Sequence, residues 1–475
     1  MNEFDKITGD EETFRDSIST VNEDGSRKWV YAKKPKGKWF NRRQVVSYSL
    51  LFLLFAAPHI YIGGHQSVLL NIIERKFVIL GKVFWPQDFF LFALAIIVGV
   101  VFIITFTIIY GRLFCGWICP QTIFMEMVFR RIEYFIEGDW TRQKKLNKGP
   151  WNAEKIRKKT IKHILFWLVS FLIANTFLAY IISSEELWKI QTDPLGAHIG
   201  GLIAIITFTT IFYLVFSMLR EQVCTTICPY GRLQGVLLDE NSMLVAYDHV
   251  RGEGEKGRAK FRKSEDRKEQ GKGDCIDCNQ CVVVCPTGID IRNGTQLECV
   301  NCTACMDACD HMMGSVGLEE GLIRFVSEQG IKERTGFQWT RRVVSYTILL
   351  SAMVIMLIFL LVTRNDFEVT ILRQRGSTYQ TTPDGLISNI FEIGLTNKTQ
   401  NDYQVELKVE NNDKAMIDLA VQSLTLQKED RLKERVVIKM PMSEIHNGKE
   451  ILTVVVYGNG EEIQRIKTKF IGPLL

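Results

Sequence analysis

Eight of the twelve cysteines stand in two copies of one spacing. Asp274-Cys275-x-x-Cys278-x-x-Cys281-x-x-x-Cys285-Pro286 is followed by Cys299-x-x-Cys302-x-x-Cys305-x-x-x-Cys309. This is the pattern of bacterial ferredoxins that carry two 4Fe-4S clusters. Three cysteines, each separated by two residues, let one tight loop reach three corners of a cubane. The fourth thiolate comes from the other motif. The spacing therefore assigns Cys275, Cys278, Cys281 and Cys309 to the first cluster, and Cys299, Cys302, Cys305 and Cys285 to the second. Zinc ribbons instead use two Cys-x-x-Cys pairs across a longer loop. Two adjacent clusters mean electron transfer, one electron at a time; the motif names neither donor nor acceptor.

The other four cysteines form a second repeat. Cys115-Gly-Trp-Ile-Cys119-Pro120 and Cys224-Thr-Thr-Ile-Cys228-Pro229 each follow a long apolar run. Cysteines at i and i+4 share one face of a helix, and the proline re-aims the chain. Two such pairs facing each other would supply four thiolates: a third iron–sulfur or mononuclear iron site, a soft-metal site for Cu(I), or redox-active thiols. Small buried residues at helix ends are the bland alternative. The seven histidines are scattered; His59 and His198 suit interfacial hydrogen bonds better than a haem or copper pair.

These sites must be held by the elements around them. A bilayer-spanning helix needs about 20 apolar residues, and five segments offer them: Val45–Ile62, Phe89–Gly111, Ile164–Ser183, Ile199–Leu219 and Val343–Thr363. The tail before Gln44 carries ten Lys/Arg, and Arg112–Thr160 carries eleven. By the positive-inside rule, the N-terminus and the cysteine motifs are cytoplasmic. Residues 366–475 then lie outside the cytoplasm. The first span is an uncleaved anchor, because the tail ahead of it is polar. Every cysteine falls on the cytoplasmic side, where thiols stay reduced. The segment Thr122–Glu137 puts Phe124, Val128, Ile132, Phe135 and Ile136 on one face and should lie along the inner surface. Arg251–Gly273 reads as a solvated, flexible connection.

From Asp366 onward the apolar period becomes two, as in Tyr403, Val405, Leu407 and Val409, with a turn at Gly458-Asn459-Gly460. This suggests an immunoglobulin-like sandwich. The expected architecture is thus a multi-domain membrane protein: a cytoplasmic tail to residue 43, an all-α five-helix membrane part over 44–240, an α+β ferredoxin-like module over 241–340, the fifth span over 343–363, and an all-β domain over 366–475. With 58 basic against 53 acidic residues, the charge balance argues against a nucleic-acid binder.

With these residues in view, the chain resembles the FixG/RdxA/CcoG family of bacterial cytochrome c oxidase accessory proteins, from about residue 35 to the end. The stretches that carry the resemblance are Phe84-Trp85-Pro86-Gln87-Asp88-Phe89, Cys115 to Gln121, Arg220-Glu221-Gln222-Val223-Cys224 through Cys228-Pro229-Tyr230, Tyr247-Asp248 through Arg251-Gly252-Glu253, and Gly273-Asp274-Cys275 through Asp290-Ile291-Arg292. The resemblance implies a membrane iron–sulfur oxidoreductase that reduces Cu(II) to Cu(I) for assembly of a cbb-type oxidase. Its implied partners are membrane lipid, a copper chaperone, a copper-exporting ATPase, oxidase subunits and a cytoplasmic electron donor. The cluster roles carry over to Cys275 through Cys309, and the redox or copper role to Cys115, Cys119, Cys224 and Cys228. Two rival readings are a quinol-linked membrane electron relay and a non-enzymatic assembly scaffold with structural clusters.

Overall fold

The computed structural model describes residues 20–473 except 22, 23, 25, 74, 75, 86, 87, 195, 264, 268, 365, 366, 375, 377, 400, 420–423, 429 and 447. Residues 1–19 of the basic tail, Pro86-Gln87 and Asp366 therefore lie outside the described residues. The chain divides into two compact units. One holds the N-terminal residues through Gly81 together with Phe90–Leu357, and the other holds Lys82–Phe89 with Ile358–Leu475.

In the first unit, three helices are long and apolar enough to cross a membrane: Phe89–Tyr110, Ala153–Ile182 and Ile199–Leu219. A fourth, Arg341–Val362, links the two units. Twenty-two residues at 1.5 Å each reach about 33 Å, enough for a hydrocarbon core of about 30 Å. The third expected span is longer than its apolar run. Asn152 caps its start, accepting a hydrogen bond from Lys155 N at 2.8 Å, so the charged turns before Ile164 are helical too.

The expected first span is corrected. The helix is Lys38–Ala56, not Val45–Ile62. It begins early because both oxygens of buried Asp307 accept its free backbone N–H groups, from Trp39 at 3.0 Å and Phe40 at 2.7 Å. It ends early because Pro58 sits in the 3-10 turn Ala57–His59, after which Tyr61–Ile62 and His65–Gln66 form a hairpin. Its uncharged part, Gln44–Ala56, is only about 20 Å long. Phe52 and Val45 nonetheless stand exposed on it, while Leu51, Leu54 and Phe55 pack on the bundle core.

That core is aromatic. Phe129 stacks on Phe216 with centroids 4.4 Å apart and meets Phe166 edge-on at 4.9 Å. The segment Thr122–Glu137 is not a helix lying loosely on a surface. Its π-helical stretch Phe124–Phe129 and the helix Arg130–Ile136 bury Phe124, Met125, Phe129, Arg130 and Glu133, whereas Phe135 stays exposed. Beneath the span ends lies a buried ion network. Arg220 grips Glu133 through two hydrogen bonds at 2.8 and 2.6 Å, Lys162 reaches Glu137 at 2.9 Å, and Arg130 reaches Glu126 at 2.7 Å.

The ferredoxin module lies in the same compact unit, and its loops are built into the membrane part. Arg130 Nη2 donates to the Pro286 carbonyl at 3.2 Å, and Lys33 N donates to the Val283 carbonyl at 2.9 Å. The strands Leu244–Tyr247 and Ile323–Val326 pair antiparallel and frame it. The stretch Arg251–Gly273 is more than a solvated connection. Arg267 is buried, and its guanidinium donates to the carbonyls of Gly273 and Cys275.

In the second unit all the strand pairs among the described residues are antiparallel. One sheet runs Met416–Leu419, Arg431–Pro441, Leu386–Asn397, Phe367–Arg373, with Gln380–Thr381 at its side. The other runs Leu424–Leu426, Tyr403–Val409, Lys449–Gly458, Glu461–Ile471. Inward residues of both sheets, among them Phe391, Leu426, Met440, Leu452 and Phe470, form one core. The Phe84–Phe89 stretch belongs here. Asp88 is buried and accepts from Arg364 at 2.7 Å and Lys398 at 2.8 Å.

Candidate functional site

The two ferredoxin loops repeat in backbone as well as in sequence. Asp277 and Asn301 occupy matching places with φ near 51°, and so do Asn279 (φ 57°) and Thr303 (φ 66°). Left-handed residues at these two positions curl each loop so that successive cysteines turn inward. Asp and Asn accept this conformation readily; a β-branched threonine does not, so Thr303 is held there by its surroundings.

The eight cysteines line two cavities. Cys275, Cys278, Cys281 and Cys309 line one, with Tyr247, Met312, Met313 and Ile323. Cys285, Cys299, Cys302 and Cys305 line the other, with Val245, Ile289 and Val300, and Cys281 stands at both. All the cysteines are free thiols. Burial pushes the thiols of Cys281 and Cys299 up to about 12 and that of Cys302 to about 11. A thiol in such a place becomes a thiolate only by giving its proton up for a metal. Among the described residues, no three His, Cys, Asp or Glu side chains converge on a single-ion site. Soft donors spread around an apolar cavity fit a cluster, and the donor set suits iron and sulfide.

The Cys-x-x-x-Cys-Pro pairs differ from expectation. Neither pair lies along one helical face. Cys115 sits in the short helix Leu113–Trp117, and Cys119 is the extended N-cap (ψ 123°) of the next, Pro120–Ile123. Cys224 sits in the π-turn Val223–Ile227, and Cys228 is the extended N-cap (ψ 114°) of Pro229–Leu237. The cause is the proline, which drives the residue before it out of the helical region. The break is the same in both copies.

Three of the four lie near enough to act on one another's charge, without converging as a single-ion site among the described residues. The Cys224 thiol, pushed up to about 12, owes this first to burial and then to the neighbouring Cys119 and Cys115. Cys228 is not among the groups acting most strongly on it. Gln234 Nε2 donates to Cys115 Sγ at 3.5 Å. Arg112, 3% exposed, places its cation beside these thiols and also donates to the Leu297 carbonyl.

This thiol group is built onto the second ferredoxin loop. Cys115 packs in one buried cluster with Val284, Val300, Cys302 and Ala304. Gly116 touches the Val300 carbonyl so closely that a Cβ would overlap it. Trp117 Nε1 donates to the Asn301 carbonyl at 3.3 Å, and Arg43 Nε donates to the Gly116 carbonyl at 2.7 Å. Gly231 packs as tightly on the other copy, where a Cβ would lie 2.6 Å from the Cys224 carbonyl oxygen. Arg112, Gly116 and Asn301 escaped the cysteine-spacing argument; their signal was only an arginine ahead of each Cys-x-x-x-Cys-Pro and the residue inside each loop. His198 is paired with Asp193 at 3.0 Å, and His163 with Tyr213 at 2.9 Å.

Known proteins resemble the chain over these same regions. Residues 219–328 match the model of a 4Fe-4S dicluster domain, and residues 92–148 that of a 4Fe-4S binding domain. Residues 357–473 match the immunoglobulin-like fold at the C-terminus of FixG, a putative oxidoreductase. The nitrogen fixation protein FixG of Rhizobium meliloti is 31% identical over 84% of this chain and 82% of its own length. Protein RdxA of Cereibacter sphaeroides is 34% identical over 73% and 74%. Protein RdxB of the same organism is 31% identical over 81% and 83%. The chain belongs to the FixG/RdxA family, as an iron–sulfur electron-transfer protein of the membrane with two 4Fe-4S clusters.

Proposed function

We propose that this protein passes single electrons from a cytoplasmic donor to Cu(II), supplying Cu(I) for assembly of a cbb-type haem–copper oxidase. Cys275, Cys278, Cys281 and Cys309 hold one cluster, and Cys299, Cys302, Cys305 and Cys285 the other. Bound there, the clusters supply one-electron exchange. Copper draws the thiols of Cys115, Cys119 and Cys224 around it as it is received. Cu(II) gains one electron, and thiolates favour the softer Cu(I) that results. Arg112 offsets the negative charge that builds on these sulfurs. The observation that carries the reading is the shared packing of Cys115 and Cys302. It leaves no separate domain between the second cluster's ligands and the thiol group.

The basic segments 27–43 and 112–160 support a cytoplasmic position for this site. A C-terminal sandwich outside the cytoplasm requires the Lys38–Ala56 helix to complete a fifth crossing. The family supports a copper chaperone, a copper-exporting ATPase and oxidase subunits as partners. The test is the double variant C115S/C224S, assayed for anaerobic cupric reduction. Copper reduction should fall to background while iron and sulfide stay at the wild-type level. Unchanged reduction with intact clusters would remove copper from the thiol site.

A further inference from the structure

The stretch Tyr247-Asp248-His249-Val250-Arg251-Gly252-Glu253 holds no cluster ligand, yet it closes around one. Asp248 caps the short helix His249–Glu253 by accepting from Arg251 N at 3.0 Å, and its carboxylate pairs with Arg324 at 2.9 Å. Arg251 Nε donates to Asp274 at 2.6 Å, next to the first cysteine. Cys275 N donates to the Gly252 carbonyl at 3.0 Å, and Asp274 N to the Arg251 carbonyl at 3.0 Å. The backbone of this collar is thereby laced to Cys275.

The collar carries Tyr247. Its ring lies in the same buried cluster as Cys275 and Cys281, and it lines the first cavity beside all four cysteines. Its hydroxyl rests on Gly252, where a Cβ would overlap it. The residue is 5% exposed, and its hydroxyl has no hydrogen-bond partner among the described residues. An unpaired buried hydroxyl is costly. The Cys275 side chain lies in the same buried cluster and is placed to accept from it. The protein thus holds a donor against the first cavity, with the Cys275 side chain facing it there.

We infer that the Tyr247 hydroxyl donates a hydrogen bond to the Cys275 sulfur of the loaded first cluster and raises that cluster's reduction potential above the value it would have without that bond. Hydrogen bonds to cluster sulfurs are one of the levers a protein has on potential, because they stabilise the more negative, reduced state. Gly252 is the residue that leaves room for the hydroxyl, and Asp248 and Arg251 fix the collar. The inference does not depend on copper being the acceptor.

The test is an EPR-monitored redox titration of the full-length protein in detergent, purified anaerobically, with iron and sulfide counted. Y247F should keep both clusters and lower the midpoint of one, leaving the other unchanged. G252A should lower the same midpoint, because its methyl displaces the hydroxyl. Wild-type spectra recorded in H2O and D2O should show an exchangeable proton coupled to that cluster and absent from Y247F. Two unchanged midpoints in Y247F would overturn the inference. So would equal shifts of both, or, should Y247F lose iron, a wild-type spectrum without that proton.

Discussion

Gly116 and Val300 are in contact through a carbonyl oxygen that leaves no room for a side chain. One residue lies between Cys115 and Cys119, and the other between Cys299 and Cys302. The contact therefore fixes the thiol group against the second ferredoxin loop. It explains why glycine is needed inside a segment that is otherwise bulky and apolar.

Replacing Gly116 by alanine should push Val300 and Asn301 away. Overpacking of this kind costs about 1–3 kcal/mol. The loss should fall on the second cluster, so iron and sulfide should drop by up to half. The EPR signal of the first cluster should persist. Equal loss of both signals, or none, would place the strain elsewhere.

The crossed ligand sets make a second prediction. Cys285 lines the second cavity and Cys309 the first, although each follows the other three cysteines of its own motif. C285S should damage the same EPR signal as C299S, and C309S the same signal as C275S. If C285S instead reproduces C275S, each motif holds its own cluster.

The buried Glu133 predicts a pH dependence. Burial pushes its carboxyl up, but Arg220, Lys162 and Arg130 together pull it below its ordinary value of 4.5. A carboxyl with a lowered folded pKa adds stability above its unfolded pKa, and that stability is lost as pH falls through the folded one. Wild-type thermal stability in detergent should therefore fall steeply below about pH 4.5. E133Q should flatten this limb. At neutral pH it should cost up to about 3 kcal/mol, since Arg220 keeps only its longer, 3.8 Å ion pair with Glu221. An unchanged acid limb in E133Q would assign it to other groups.

Stripping the clusters should separate the two units. Cysteines form part of the ferredoxin core, with Cys275 and Cys281 among Val245, Ile291, Met306 and Leu322. The sandwich has its own core and no cysteine. After anaerobic removal of iron, amide protection should collapse in 275–315 and persist in 386–397 and 449–458. Hydrogen exchange read by mass spectrometry checks this. Loss of protection in the sandwich strands would show that its folding depends on the clusters.

Much of this was legible in the chain because cysteine spacing and long apolar runs are local signals. The two ligand groups, the apolar helices and the period-two region all follow from neighbours in sequence. What was not legible depends on distant partners. Asp307 draws the first helix back to Lys38 across 268 residues. Arg130 ties a helix to the Pro286 carbonyl. The broken turn at Cys119 and Cys228 was readable in principle, since proline constrains the residue before it, but an i, i+4 spacing suggested one helical face. Gly116 and Gly252 carry no pattern of their own; only the atoms packed on them give them meaning.

The most direct measurement is a single turnover. Protein reduced anaerobically, freed of excess reductant and mixed with Cu(II) and a Cu(I)-selective chelator should lose its reduced-cluster EPR signal as Cu(I) appears, one copper for each electron. The C115S/C224S variant, with the same iron content, should keep its signal and form no Cu(I). Clusters that stay reduced in the wild-type protein, or a variant that turns over as fast, would contradict electron delivery to copper at the thiol site.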